Sequence, residues 1–201
     1  MSDLPAVLIT GASSGIGATY AGRFARRGHD LVIVARDKAR LDALAERLRG
    51  EAGVAVDVIQ ADLTNNADLE VVEARLRDDA RIGVLVNNAG LSVAGRFDRQ
   101  AASDIARLVA VNITAVLRLA HAVSPRFVEA GRGAIINVGS AVSLVPEFGQ
   151  TVYGATKAFV LYLSQGLAFE LGPKGVYVQA VLPAATGTEI WSRAGADPSQ
   201  L

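Results

Sequence analysis

The chain has 201 residues, with 20 Lys+Arg against 20 Asp+Glu, no cysteine and 51% apolar residues. These figures fit one folded domain with a buried core. They exclude a disulfide framework, a thiolate metal site and a cysteine nucleophile, and argue against a disordered chain. Zero net charge also argues against a general nucleic-acid binder, though not against a local basic patch. The N-terminal Met-Ser-Asp-Leu-Pro shows no basic region followed by an apolar run, so no secretory leader is visible. The charge-free stretches Gly133–Pro146 and Gly175–Thr188 contain Gly, Pro and polar residues and are too short to span a bilayer. A cytoplasmic protein without membrane association is expected. Glycine is the outlier, at 20 residues against a usual share of about 7%. Extra glycine marks places where the backbone comes close to something.

In chain order, Ala6–Thr10, Asp30–Ala35, Val54–Ile59, Ile82–Val86, Ala134–Val138 and Val176–Val181 are short runs rich in Val, Ile and Leu. They lack polar alternation, as strands buried on both faces do. Amphipathic segments lie between them. Ala39–Gly50 spaces Leu41, Leu44, Ala45 and Leu48 as a helix does, and Ala67–Asp79 repeats this with Leu69, Val72 and Leu76. Ser103–Ala130 is long enough for several turns, and Val152–Leu171 ends at Gly172-Pro173. Strands separated by helices require crossovers, which predicts an α/β fold with a doubly wound parallel sheet of at least six strands. No linker or repeat divides residues 1–201, so a single dinucleotide-binding and catalytic domain is expected.

The first strand runs into Thr10-Gly11-Ala12-Ser13-Ser14-Gly15-Ile16-Gly17 and then a helix with Tyr20 and Phe24. Gly11 permits a tight turn, Gly15 lets backbone approach a pyrophosphate, and Gly17 lets the helix pack closely on the sheet. The helix N-terminus then faces the anion, with the hydroxyls of Ser13 and Ser14 beside it. Dinucleotide folds often place an acid at the end of the second strand to hold a ribose hydroxyl. Here Ala35 occupies that place and Arg36 follows, a side chain suited to a 2′-phosphate. NADP is therefore favoured over NAD, although Asp37 could neutralise Arg36.

Tyr153 and Lys157 are four apart at the start of a helix and share a face. Ser140 follows the fifth strand, at the same carboxyl edge as the glycine loop. A tyrosine with its ordinary pKa of about 10 needs a shift of roughly 2–3 units to act as acid or base near neutrality, and a lysine ammonium nearby would supply it. A serine hydroxyl can hold the substrate oxygen as the proton moves.

Together, T-G-A-S-S-G-I-G at Thr10–Gly17, Asp62-Leu63, N-N-A-G at Asn87–Gly90, Asn112, Ser140 and Y-x-x-x-K at Tyr153–Lys157 resemble the short-chain dehydrogenase/reductase family over nearly the whole chain. The resemblance implies a Rossmann fold and an NADP-dependent oxidoreductase that interconverts a carbonyl and an alcohol. Tyr153 would be the general acid or base. Lys157 would lower its pKa and bind the nicotinamide ribose, Ser140 would orient the substrate, and Asn112 would hold a water in a proton relay. Gly11, Ser13, Ser14, Gly15 and Ile16 would cradle the cofactor phosphates. Asp62 and Leu63 would sit at the adenine, and Asn88, Ala89 and Gly90 on the adenosine-ribose side. A non-catalytic NADP-binding sensor is the rival reading, weakened by the presence of Asn112, Ser140, Tyr153 and Lys157 together.

Two departures from the family pattern stand out. Pro183-Ala184-Ala185-Thr186-Gly187-Thr188 replaces a common Pro-Gly-x-x-x-Thr, with Thr186 expected near the nicotinamide amide and Thr188 supporting the same end. Family members also continue well beyond residue 201, so the chain is expected to lack a C-terminal lid and a seventh strand. Val142, Leu144, Val145, Pro146 and Phe148 read as core or as one wall of the substrate pocket, and the latter implies a substrate with an apolar body. Ile105, Leu108, Val116, Leu119 and Val123 form a stripe that fits either a homodimer or homotetramer contact or the sheet. His29 and His121 suggest no metal site, and Arg23, Arg26 and Arg27 read as a solvated helix face.

Overall fold

A computed structural model describes residues 4–93, 95–148 and 150–184. Six parallel strands form one sheet: β1 (Ala6–Thr10), β2 (Leu31–Ala35), β3 (Val56–Gln60), β4 (Ile82–Asn87), β5 (Gly133–Val138) and β6 (Val176–Val181). Their spatial order is β3-β2-β1-β4-β5-β6. Helices α1 (Gly15–Ala25), α2 (Lys38–Ala52), α3 (Asn66–Asp78), α4 (Ala102–Val109), α5 (Val116–Glu129) and α6 (Thr151–Leu171) make the crossovers. This is the doubly wound Rossmann arrangement, whose strand order reverses between β1 and β4.

The missing alternation in the strands has a direct cause. Ala6 and Leu8 of β1 join Val32, Val34, Leu85 and Ile135 against α3, α5 and α6. Val7 and Ile9 point the other way and join Ile33, Val84 and Val86 against α1 and α2. Both faces of the central strands are buried, so both sets of side chains must be apolar. The second face is more open over β6, where Tyr177 is 59% exposed.

Local chemistry sets the helix boundaries. Asp37 caps α2 by accepting from Arg40 N at 3.0 Å, and Asn65 caps α3 by accepting from Ala67 N at 2.8 Å. The helix expected to stop at Gly50 runs on to Ala52 and ends at Gly53, in the left-handed region at φ 67°. Asp30 lies outside β2, and its carboxylate accepts from Ala55 N at 2.9 Å.

The long helix expected over Ser103–Ala130 is interrupted by a π-helical segment, Ala110–Ala115. Ala102–Glu129 is long and apolar enough to cross a membrane by length and composition, a match that the charge-free runs did not include. Here Leu108, Val116, Leu119 and Val123 are buried in the chain's own core, so most of the stripe faces inward. Arg118 holds this helix to α3, donating to both Glu73 carboxylate oxygens at 2.7 Å.

Candidate active site

β1 ends at Thr10, which lies at the point where the strand order reverses. Its hydroxyl accepts from Asn88 N and Ala89 N, both at 3.0 Å. The Asn88 amide in turn donates to Thr10 O at 2.9 Å and Gly11 O at 3.1 Å. The ends of β1 and β4 are thereby tied across the crevice. Gly11 has φ +65°, and a Cβ there would stand 2.8 Å from Ala89 Cα, so only glycine fits without strain. A Cβ on Gly17 would overlap the Asn88 amide nitrogen and the Gly11 carbonyl oxygen. Gly17 thus serves this closure, not helix-to-sheet packing as its position suggested. The first turn of α1 carries no acidic residue, leaving its positive dipole end uncompensated there.

A cleft of ≈ 890 Å³ opens along the carboxyl edge of the sheet. It brings together Gly11, Ser13, Ser14, Gly15, Ile16, Arg36, Asp62, Leu63, Asn88, Ala89, Gly90, Ser140, Tyr153, Lys157 and Pro183. Thr186 and Thr188 lie outside the described residues. Asn112 is not on the wall. It is fully buried in the π-helical segment, where its side chain accepts from Leu91 N at 2.8 Å and donates to Leu91 O at 2.9 Å and Thr156 Oγ1 at 3.0 Å. Its amide therefore clips the segment after β4 to α6.

At one end of the cleft, Asp37 is engaged in capping α2 and pairs with Arg40 at 3.4 Å. Its carboxylate is thus held by Arg40, and Arg36 stands exposed on the cleft wall. Asp62 accepts from Thr64 N at 3.0 Å and Thr64 Oγ1 at 2.9 Å. Partial burial pushes its carboxyl up, but those bonds and the charges of Arg36 and Arg107 bring it below the usual value.

At the other end, Lys157 is buried and donates to Val138 O at 2.8 Å. Burial lowers its pKa to about 8. Tyr153 is also buried. Burial pushes its phenol up, and a hydrogen bond with Ser140 offsets part of the rise. The lowering expected from Lys157 is not what these groups produce. The ammonium lies 5.8 Å from the Tyr153 ring centroid and is directed to Val138, so desolvation dominates. Ser140 Oγ also accepts from Val142 N at 3.3 Å.

Sequence reasoning missed several residues of the wall. Asp104, Arg107 and Val111 line it from one side of the long helix. Their i, i+3, i+7 spacing was a usable signal once the helix was placed. Leu91, Ser92 and Val93 line it from an irregular segment, which gives no periodic signal. Among the described side chains of that stretch, Val142, Leu144, Val145 and Pro146 belong neither to the core nor to the lining of this cleft, and Leu144 is 63% exposed, while the Phe148 side chain lies outside the description.

Below pH 8 the folded protein carries the cost of a buried ammonium at Lys157. Between about 8 and the ordinary 10.5, the unfolded chain still holds that proton while the folded one has released it, so stability rises with pH across this window. Lys157→Met is expected to be more stable than wild type at pH 7, by at most about 3 kcal/mol. The difference should shrink toward pH 10.5, as measured by denaturant unfolding at a series of pH values. A constant difference across that range contradicts this account.

Residues 5–199 match the family model described as short chain dehydrogenase. Among solved structures, a short-chain dehydrogenase from Sphingobium yanoikuyae in complex with NADPH is 69% identical, with a TM-score of 0.98 over 98% of this chain and 77% of that one. A bulky-bulky ketone specific alcohol dehydrogenase from Comamonas testosteroni is 65% identical, with a TM-score of 0.92 over 92% of this chain and 75% of that one. A curated relative, the very-long-chain 3-oxoacyl-CoA reductase of Anas platyrhynchos, is 36% identical over 192 residues, covering 91% of this chain and 60% of its own length. The chain thus spans about 60% of the length of that relative. With the glycine turn, the Ser-Tyr-Lys cluster and a six-stranded parallel sheet in one chain, and a family match over nearly all of it, this protein belongs to the short-chain dehydrogenase/reductase family.

Proposed function

We propose that residues 1–201 form a dinucleotide-binding and catalytic domain that transfers hydride between NADP and a carbonyl or alcohol, with Tyr153 as the proton donor or acceptor. The observation that carries this reading is the convergence of Ser140, Tyr153 and Lys157 on the cleft whose other end holds the glycine turn. The turn suits a dinucleotide: Cβ atoms at Gly11 and Gly17 would overlap its own walls, and the α1 terminus beside it bears no acid. Gly11, Ser13, Ser14, Gly15 and Ile16 would hold the phosphates. Arg36 would hold the 2′-phosphate, Asp62 and Leu63 the adenine, and Asn88, Ala89 and Gly90 the adenosine ribose. Pro183 and Thr186 would approach the nicotinamide, with Thr188 in support. The bound cofactor supplies or accepts the hydride at the carbon that changes oxidation state.

The chain's own residues manage the proton. In reduction, the Tyr153 phenol gives its proton to the substrate oxygen, and Ser140 holds that oxygen in line. Raised by burial, Tyr153 stays protonated through neutrality, which suits the reductive direction. Lys157, charged below about pH 8, favours the phenolate left behind and would also bind the nicotinamide ribose. Asn112 acts at one remove, fixing Leu91 on the wall and Thr156 on α6. The substrate is a ketone or alcohol with an apolar body. Support comes from Leu91 and Val93 on the wall and from the bulky-ketone specificity of the Comamonas testosteroni neighbour.

Self-association as a homodimer or homotetramer would use a different surface from the stripe first considered. Tyr162 and Phe169 lie seven apart on α6 and are 80% and 85% exposed.

Four outcomes check this reading. Tyr153→Phe should lower turnover of a bulky aryl ketone with NADPH by about 10²–10⁴ while NADPH binding changes less than twofold. Reductive kcat in the wild type should fall as pH rises through about 8. Turnover retained in the variant would refute the role of Tyr153. Arg36→Gln should raise KM for NADPH by about tenfold, a charged contact worth about 1.5 kcal/mol, and leave KM for NADH unchanged. A wild-type preference for NADH would sink the NADP assignment. Light scattering should show Phe169→Glu shifted toward monomer, and an unchanged mass would discard the α6 contact.

A further inference from the structure

The end of β5 and the turn after it meet α6 at three polar places in succession. Nearest the cleft, Ser140 stands close enough to Tyr153 to offset part of the rise that burial imposes on its phenol. Next, Val138 O accepts from Lys157 Nζ at 2.8 Å. Deepest, the Asn137 amide donates to Ser164 Oγ at 2.9 Å, and Ser164 donates on to Val160 O at 2.7 Å. The order is regular: residues 140, 138 and 137, going back into the strand, meet residues 153, 157 and 164, going down the helix. Lys157, Val160 and Ser164 stand at i, i+3 and i+7, one buried face of α6.

The deepest contact continues sideways. Asn137 and Asn87 are paired in register across β4 and β5. The Asn87 amide donates to Asn137 Oδ1 at 2.9 Å and to Val116 O, the first residue of α5, at 3.4 Å. All three side chains are buried, with exposures of 2%, 0% and 2% for Asn87, Asn137 and Ser164. Asn87 Oδ1 finds no hydrogen-bond partner among the described residues. A buried acceptor left so is costly, and well-packed apolar side chains in the same places would often serve stability as well or better. Apolar contacts, however, fix a helix on a sheet less sharply than directed hydrogen bonds do.

We infer that Asn137 and Ser164 are positioning residues for catalysis: their buried hydrogen bond, braced by Asn87, sets the register of α6 on β5 and so places Lys157 and Tyr153 against Val138 and Ser140. Neither residue touches the cleft, and neither lines it. A helix free to slip along its axis moves about 1.5 Å per residue, and an error near 1 Å at a reacting group costs up to about a hundredfold in rate. The inference rests on the catalytic reading of Ser140, Tyr153 and Lys157.

The test compares the full chain with Ser164→Ala, Asn137→Leu/Ser164→Ala and Tyr153→Phe, measuring kcat with NADPH, NADPH dissociation constant and melting temperature. Ser164→Ala should lower kcat by about tenfold with NADPH affinity within twofold, because the glycine turn is untouched. The double variant removes both partners of the inner bond and should regain melting temperature relative to Ser164→Ala without regaining kcat. A kcat within twofold of wild type in Ser164→Ala, or kcat that recovers together with melting temperature in the double variant, overturns the inference. Tyr153→Phe separates the two levels. If it is inactive while Ser164→Ala is fully active, only the positioning role fails. If Tyr153→Phe retains turnover, the catalytic reading fails beneath it.

Discussion

The structure depends on the hydrogen-bonded closure between β1 and β4. A parallel sheet wound outward from its middle leaves a crevice where the strand order reverses, here between Thr10 and Asn88. That crevice would be a weakness if the two strand ends could part. Thr10 Oγ1 accepts from two consecutive backbone amides, and the Asn88 side chain donates to two consecutive carbonyls. Four contacts from two side chains hold the turn shut from behind, so its front can face the cleft. Gly11 and Gly17 follow from this: each lacks a Cβ because the Asn88 side chain or its neighbours occupy that volume. The glycine excess in the composition is in part a record of this packing.

At the far end of the cleft the controlling factor is desolvation. Burial works in opposite directions on the two titrating groups, up on Tyr153 and down on Lys157. Each is pushed toward its neutral form, because the interior penalises charge of either sign. The ordinary gap between a phenol and an ammonium is thereby reversed, with the lysine now the group that titrates first. Val138 O accepts from Lys157 and holds it in place whether or not it is charged. Such a pair keeps the phenol protonated at neutrality and leaves the adjacent amine sensitive to pH, which is the state that the proposed proton donation by Tyr153 would use.

Much of this was legible in the sequence, for reasons that can be named. All six strands were visible because the central strands are buried on both faces and carry unbroken apolar runs. The glycine turn was visible because close backbone approach permits one residue type. The tyrosine and lysine were visible because helical spacing puts them on one face. What stayed hidden depends on partners distant in sequence. The partners of the Asn112 side chain, Leu91 and Thr156, could not be read from its place in the chain. The π-helical segment that carries it reads as ordinary helix, since α and π turns share the same apolar pattern at this length. Arg107 gave no signal of its own, because its place on the wall and its charge near Asp62 depend on where α4 packs. The capping role of Asp37 could be read from its place before a helix, but its release of Arg36 could not.

Asn137 shows most clearly how such information is lost. Within Ala134–Val138 it is one polar residue in an apolar run, and a period-based reading treats it as noise on a strand. Its meaning lies in Asn87, fifty residues earlier, and Ser164, twenty-seven later. For stability alone, an amide whose neighbour Asn87 keeps an acceptor without a partner among the described residues offers little. A core that must hold a helix to a fraction of a turn has such a use, because a hydrogen bond specifies position where an apolar contact specifies only proximity. The buried polar residues of β4, β5 and α6 are therefore better understood together with Ser140, Tyr153 and Lys157 than with the apolar side chains that surround them.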